Sequence, residues 1–285
     1  MKTGLQDLNV LITGASGGIG AALAEVFLGE GCHVSLHAGR SRAEELARLY
    51  AGKKAEGQIV HTWEADVRDV NAVSEGVVAA GDALGRIDVC VVNAGVWPKD
   101  STPLHEQQEA RIREVIEVNL MGAIWTSNAF LRALAGSGPR ADGRGASLCF
   151  IGSTAGRFGE AGHAEYATTK AAMVGLLRSL KNEIVHLDPY GRVNLVEPGW
   201  TVTPMAAAAL EQPGLIRDVV ATMPLRQLAR AEDIARAVAV LSSPFMSRHV
   251  SGQHLTVAGG MEGRQLWRAD DVDEPEVRSR LQRDD

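Results

Sequence analysis

Asn9-Val10-Leu11-Ile12-Thr13-Gly14-Ala15-Ser16-Gly17-Gly18-Ile19-Gly20 changes character twice. It opens as a short apolar run of β type and breaks at Gly14. From residue 18 to residue 29 it places Ile19, Leu23, Val26 and Phe27 on one helical face. A strand that passes through a glycine cluster into a helix reads as the start of a βαβ unit. Gly14 makes the turn, Gly18 allows close backbone approach, and Gly20 lets the helix pack on the strand. Free N–H groups and the helix dipole then point at an anion. Thr13, Gly14, Ser16, Gly18, Ile19 and Gly20 are thus candidate contacts for a pyrophosphate. The spacing is TGxxxGxG, not the GxGxxG of long dehydrogenases.

Outward from this stretch the chain alternates short apolar runs with helical-period segments. Strands are predicted over 32–38, 58–63, 87–92, 146–152, 192–196 and 253–257. Helices are predicted over 42–50, 70–84 (capped by Asp69), 106–134 (one or two), 164–187 and 231–241. Near-continuous apolar strands alternating with helices imply an α/β fold, a doubly wound parallel sheet of Rossmann type with helices on both faces. No repeat or linker divides the chain. The expectation is one domain over residues 1–262, with an irregular Ala- and Met-rich lid at 200–225. A charged tail at 263–285 is read as solvated, or as packed on a neighbouring subunit or over a pocket.

Of the 285 residues 45% are hydrophobic and 22% charged, which excludes a disordered or collagen-like chain. A formal net charge of -6 leaves no basic footprint for nucleic acid or an anionic membrane. Cys32, Cys90 and Cys149 form no CxxC and sit in apolar runs, as small buried hydrophobes do. No stretch approaches the roughly 20 apolar residues that span a bilayer, and no signal-peptide pattern opens the chain. The expectation is a cytoplasmic protein without a metal site.

The second predicted strand ends in His37-Ala38-Gly39-Arg40-Ser41-Arg42. Enzymes that use NAD place a carboxylate there for the ribose hydroxyl; a 2′-phosphate calls for arginine. Arg40, Ser41 and Arg42 therefore favour NADP(H) over NAD(H), although Glu44 and Glu45 lie close enough to pair with the arginines.

Asn119, Ser153, Tyr166 and Lys170 are the candidate catalytic set. Tyr166 and Lys170 stand four apart, on one helix face about 6 Å from each other. A phenol with its usual pKa of about 10 is a poor acid or base at neutral pH, and a nearby ammonium lowers it. Tyr166 could then give a proton to a carbonyl oxygen or take one from an alcohol. Ser153 follows a strand and could hydrogen-bond the substrate oxygen. Trp97, Phe158, His163, Trp200 and Met205 are candidate pocket walls. Being neutral and bulky, they suggest a moderately apolar carbonyl compound or a polyol.

With these motifs assembled, the chain resembles the short-chain dehydrogenase/reductase family from residue 9 to about 261. The resemblance rests on TGASGGIG at 13–20, Asp66-Val67, Asn93-Ala94-Gly95, Asn119, Ser153, the YxxxK pair Tyr166 and Lys170, and Pro198-Gly199 with Thr201 and Thr203. It implies that Asp66 and Val67 meet the adenine, and that Asn93, Ala94 and Gly95 line the cofactor. It implies that Asn119 holds a water linking Lys170 to solvent, and that Tyr166 and Lys170 also touch the ribose. It implies that Pro198, Gly199, Thr201 and Thr203 close over the nicotinamide. The implied activity is an NADP(H)-dependent oxidoreductase interconverting a ketone and a secondary alcohol, 3-oxoacyl-thioester reductases included. A homodimer or homotetramer built on segments 106–134 and 164–187 is also implied. A dehydratase, an epimerase or a non-catalytic NADP-binding scaffold would use the same fold; the complete Asn–Ser–Tyr–Lys set argues against them. Val257-Ala258-Gly259-Gly260 departs from the family's VDGG, and Ser16-Gly17 lacks the basic residue common in NADP users.

Overall fold

The computed structural model describes residues 2–39, 43–52, 55–266 and 269–275. The opening stretch folds as read. β1 (Asn9–Ile12) runs into Gly14, whose φ of 67° is left-handed, and then into α1 (Gly18–Gly29). β2 (His33–Ala38), α2 (Ala43–Ala51), β3 (Val60–Glu64), α3 (Val70–Leu84) and β4 (Val89–Val92) complete the first half. The second half holds α4 (Glu109–Ile116), α5 (Gly122–Ser137), β5 (Ser147–Ile151), α6 (Thr154–Phe158), α7 (Ala164–Glu183) and β6 (Arg192–Pro198). β7 (Thr201–Val202), α8 (Ala207–Leu210), α9 (Leu215–Val220), β8 (Ala229–Arg230), α10 (Ala231–Ser242) and β9 (His254–Val257) follow.

The main sheet has the order β3-β2-β1-β4-β5-β6-β9, parallel throughout, and β7 pairs with β8 apart from it. Strand order reverses between β1 and β4, so a crevice opens at their carboxyl ends. Strand alternation sorts the core into two layers. Val10, Ile12, Val89 and Val91 face α1 and α10, where Leu23, Phe27, Ile234 and Val238 pack on them. Leu11, Cys90, Leu148 and Phe150 face the other way, against Val77, Phe130, Leu134, Met173 and Leu177 of α3, α5 and α7. All three cysteines are buried and free, and burial pushes the Cys32 and Cys149 thiols up to about 12.

Predicted boundaries move by a residue or two at most elements, and five of the shifts have a visible reason or change an element's type. The predicted 106–134 helix divides into α4, a π-helical turn over Glu117–Met121, and α5. The 164–187 helix stops at Glu183 and finishes as a 3₁₀ turn. Strand 32–38 starts one residue later, at His33. β3 starts at Val60, because Gln58 turns its side chain to the Leu28 and Cys32 carbonyls, at 2.8 and 3.0 Å. β6 runs on to Pro198, paired with Val257 of β9, and ends there because proline has no N–H to continue a ladder. Asp69 caps α3 as expected, accepting from the N–H groups of Asn71 and Ala72 at 2.9 and 3.2 Å. No described helix is long and apolar enough to cross a membrane.

Candidate active site

The crevice holds a cavity of about 790 Å³. One half is the glycine turn. Gly14, Ser16, Gly18, Ile19 and Gly20 line it. A Cβ on Gly20 would lie 2.1 Å from the Gly14 carbonyl oxygen, and one on Gly14 would lie 2.8 Å from Ala94 Cα. Both glycines are therefore fixed by backbone packing. A Cβ on Gly17 would meet only the Gly14 carbonyl, at 3.5 Å, so that side of the turn is open. α1 begins there with no side-chain cap and no acidic residue in its first turn. Open glycines before uncapped N–H groups and a positive dipole fit a dinucleotide pyrophosphate.

Thr13 does not line the cavity. It is fully buried, and its hydroxyl accepts from the N–H groups of Asn93 and Ala94 at 3.0 and 3.1 Å. Asn93 answers by donating to the Thr13 and Gly14 carbonyls at 2.9 and 3.0 Å. The β1 and β4 turns thus form one rigid unit, and Asn93, Ala94 and Gly95 line the cavity from it. Sequence reasoning missed His37. Its Nδ1 accepts from the Gly14 N–H at 3.1 Å, and its Nε2 donates to the Ala65 carbonyl at 3.0 Å. Those partners fix the neutral tautomer, and burial lowers its pKa. Asp66 and Val67 line the cavity after β3, where the Asp66 carboxylate is forked by Arg68 at 2.5 to 3.0 Å. Arg40, Ser41 and Arg42 lie outside the described residues.

The other half of the cavity carries Ser153, Tyr166 and Lys170. Ser153 follows β5 by two residues and caps α6, accepting from the Ala155 N–H at 3.1 Å. Lys170 is buried and donates to the Ile151 carbonyl at 2.9 Å; its ammonium lies 5.7 Å from the centre of the Tyr166 ring. Burial pulls the Lys170 pKa down to about 8. The sequence led us to expect a lowered Tyr166 pKa, and the reverse holds. Burial pushes this phenol up to about 12, the Glu160 carboxylate adds to the rise, and a Ser153 hydrogen bond and Arg264 oppose it. The lysine sits against the ring, and desolvation of the phenolate outweighs it.

Asn119 stands in the π-helical turn and touches neither Tyr166 nor Lys170. Its amide clamps Val96, accepting from the N–H at 2.7 Å and donating to the carbonyl at 2.9 Å. A Cβ on the intervening Gly95 would meet Asn119 Oδ1 at 3.2 Å and Lys170 Nζ at 3.5 Å, so the two groups flank it. Pro198, Gly199, Thr201 and Thr203 line the rim. Thr203 also leans on Gly18, whose Cβ would come within 2.8 Å of it. Of the expected walls, Trp97, Trp200 and Met205 line the cavity, with the two indoles edge to face at 6.0 Å. His163 and Phe158 do not. His163 stacks on Trp97 at 4.8 Å and bonds to the Pro98 carbonyl, while Phe158 packs on the cluster of Val219, Met223, Ala258 and Met261. Four charged residues of the wall, Arg68, Glu114, Glu160 and Arg264, escaped the sequence reading.

The glycine turn and the cluster of Ser153, Tyr166 and Lys170 line one crevice, as the sequence resemblance implied. The short chain dehydrogenase family model matches residues 8–214. The chain belongs to this family. It is therefore an oxidoreductase acting on CH–OH or carbonyl groups, from a family that binds NAD or NADP. It is 35% identical over 257 residues to cis-4-hydroxycyclohexanecarboxylate dehydrogenase of Sinomonas cyclohexanicum, covering 88% of this chain and 94% of that protein. It is 32% identical over 251 residues to the 3-oxoacyl-[acyl-carrier-protein] reductase of Salmonella typhimurium, covering 88% and 96%. A solved structure from Brucella melitensis, described as a short-chain dehydrogenase/reductase of glucose/ribitol dehydrogenase type, superposes with a TM-score of 0.78 at 29% identity. The match covers 94% of this chain and 100% of that one.

Proposed function

We infer that the protein is an NADP(H)-dependent oxidoreductase that interconverts a ketone and a secondary alcohol, with Tyr166 as the group that passes the proton. The observation that carries this reading is the convergence of Ser153, Tyr166 and Lys170 on the cavity that the glycine turn lines. When bound, the dinucleotide supplies the hydride to a ketone or accepts one from an alcohol. The chain supplies the rest. With its pKa near 12, Tyr166 holds its proton at neutral pH and is ready to donate it to a carbonyl oxygen. The Ser153 hydroxyl shares the phenol and can orient the same oxygen. Lys170, with its pKa near 8, is mostly cationic at pH 7 and stabilises the phenolate left after transfer. Asn119 is a positioning residue that holds the Val96 loop and so the floor beside Lys170.

The preference for NADP(H) is supported by Arg40, Ser41 and Arg42 and by the lack of a carboxylate between His37 and Arg42. The same reading takes 200–225 as a lid and residues 1–262 as the domain. It takes α5 and α7, where Trp125, Leu131, Leu176 and Leu180 are only partly covered, as the face of a homodimer or tetramer. The test is a panel of ketones, 3-oxoacyl thioesters and sugars assayed with each reduced coenzyme by nicotinamide absorbance. Arg40→Ala with Arg42→Ala should raise the KM for NADPH far more than that for NADH; equal changes would remove the NADP assignment. A light-scattering mass of one chain would remove the oligomer.

A further inference from the structure

Arg264 is a cavity-lining cation that the mechanism leaves unused. We propose that Arg264 binds a carboxylate on the substrate, so that the enzyme acts on an oxo acid or hydroxy acid with a compact apolar body. This rests on the oxidoreductase reading above and narrows its substrate class.

The chain turns back over the crevice after β9. Met261 is buried in a small cluster with Val219, Met223 and Ala258, which pins the backbone just before Arg264. The side chain then crosses α6 and lines the same cavity as Ser153 and Tyr166. It is 18% exposed, so its charge is largely withdrawn from water. Nε donates to the Gly159 carbonyl at 3.2 Å and Nη2 to the Thr154 hydroxyl at 3.3 Å. Both acceptors are neutral. The nearest carboxylate oxygen, Glu160 Oε2, lies 3.9 Å from Nη2, beyond hydrogen-bond reach. That carboxylate also faces His163 Nδ1 at 3.6 Å, a buried atom without a hydrogen-bond partner.

Other arginines in the protein show what a satisfied guanidinium looks like. Arg68 forks Asp66 at 2.5 to 3.0 Å, and Arg111 meets Glu165 at 2.8 Å. Among the described residues Arg264 has no such fork, and its contacts there are made by Nε and Nη2. Partly buried guanidinium charge with open donors on a cavity wall is what a carboxylate ligand satisfies through two parallel N–H bonds. Thr154, which Arg264 touches, is the neighbour of Ser153, so an anion held there lies beside the reacting carbonyl. Trp97 and Trp200 supply the apolar walls for the body between the two groups. The neutral substrate suggested by the aromatic walls alone is thereby revised.

The test compares 4-oxocyclohexanecarboxylate with its methyl ester, which keeps the shape and removes the charge. Hydrogen bonds to charged groups contribute about 1.5–3 kcal/mol, which is a preference of roughly 10- to 100-fold. The wild type should favour the acid by that factor in kcat/KM, chiefly through KM. Arg264→Gln should bring the acid-to-ester ratio close to unity, and Arg264→Lys should restore part of it. Equal use of acid and ester by the wild type overturns the inference. So does an equal loss for both substrates in Arg264→Gln, which would mark the residue as a strap holding the chain to α6. If neither ketone is reduced, the oxidoreductase reading fails on these substrates, and binding still decides the inference. Cyclohexanecarboxylate should quench the fluorescence of the cavity tryptophans in the wild type and not in Arg264→Gln. Equal quenching, or none in either protein, overturns it.

Discussion

The two ends of one parallel sheet treat buried charge in opposite ways. At the amino ends, the Asp88 side chain is fully buried and both its oxygens are met. Arg86 and Arg140 pair with it, the latter at 3.1 Å, and the Asn9 N–H donates at 3.0 Å. Asp188 beside it accepts from Arg86 and from the Ala146 N–H at 2.9 Å. At the carboxyl ends, Lys170 is buried with a neutral carbonyl as its hydrogen-bond acceptor, Tyr166 is pushed up to about 12, and Arg264 has no forked partner. Charges matched inside the protein fasten the β1, β4, β5 and β6 entries together. At the other end Arg111 pairs with Glu165 and Glu160 lies 3.9 Å from Arg264, but Lys170 has no carboxylate beside it among the described residues, and its pKa and that of Tyr166 are displaced, as at functional sites.

The sharpest way to break this comparison is Tyr166→Phe. We expect kcat to fall by about 10³-fold, in the range of lost acid–base catalysis, with dinucleotide affinity and melting temperature retained. Steady-state rates, fluorescence titration with the coenzyme and thermal melting check it; near-normal turnover refutes the role. Next is Asp88→Ala at the opposite end. It removes one carboxylate from Arg86 and Arg140, which keep Asp188 and Asp142, and leaves the Asn9 N–H unmet, so stability should drop by about 1–3 kcal/mol in urea denaturation, while kcat per folded molecule stays the same. A kcat loss without a stability loss would dissolve the contrast between the ends.

Third, the stability advantage of the wild type over Lys170→Met should grow by about 2 kcal/mol between pH 8 and pH 10. Lys170 has a folded pKa of about 8 against a usual 10.5, so above pH 8 the unfolded chain binds more protons and loses ground. The wild type by itself loses stability as pH rises, from about pH 9.0 through the buried Cys32 and Cys149 thiols and from about pH 10.0 through Tyr166, because each keeps its proton until about 12 while the unfolded group releases it. Urea denaturation of both proteins across this range checks the difference, and a constant difference removes the Lys170 shift. The smallest effect is at a cap. Asp69→Ala should cost about 1 kcal/mol in the same assay without changing KM for either substrate or coenzyme.

The legible part of this site is local. Gly14, Gly18 and Gly20 signal a phosphate turn because a strand stops and a helix starts around them. Tyr166 and Lys170 signal each other because four residues make about one helical turn. Asn119 was legible as a site residue, yet its clamp on Val96 was not, because that contact spans two separate crossovers. His37 reads as an ordinary strand residue, and its bond to the Gly14 N–H depends on β2 lying next to β1 in register. His163 and Phe158 looked like walls and face away, because α6 and α7 set their directions.

The sequence by itself determined the strand and helix periods, the glycine turn, the parallel α/β class and the spacing of Tyr166 and Lys170. Each of these follows from backbone sterics and periodicity within one or two elements. Tertiary structure alone decided that burial raises the Tyr166 pKa, that Thr13 and Asn119 brace the site rather than line it, and that Arg264 returns to the cavity. Desolvation and the meeting of distant side chains depend on how the crossovers stack, which no local pattern records.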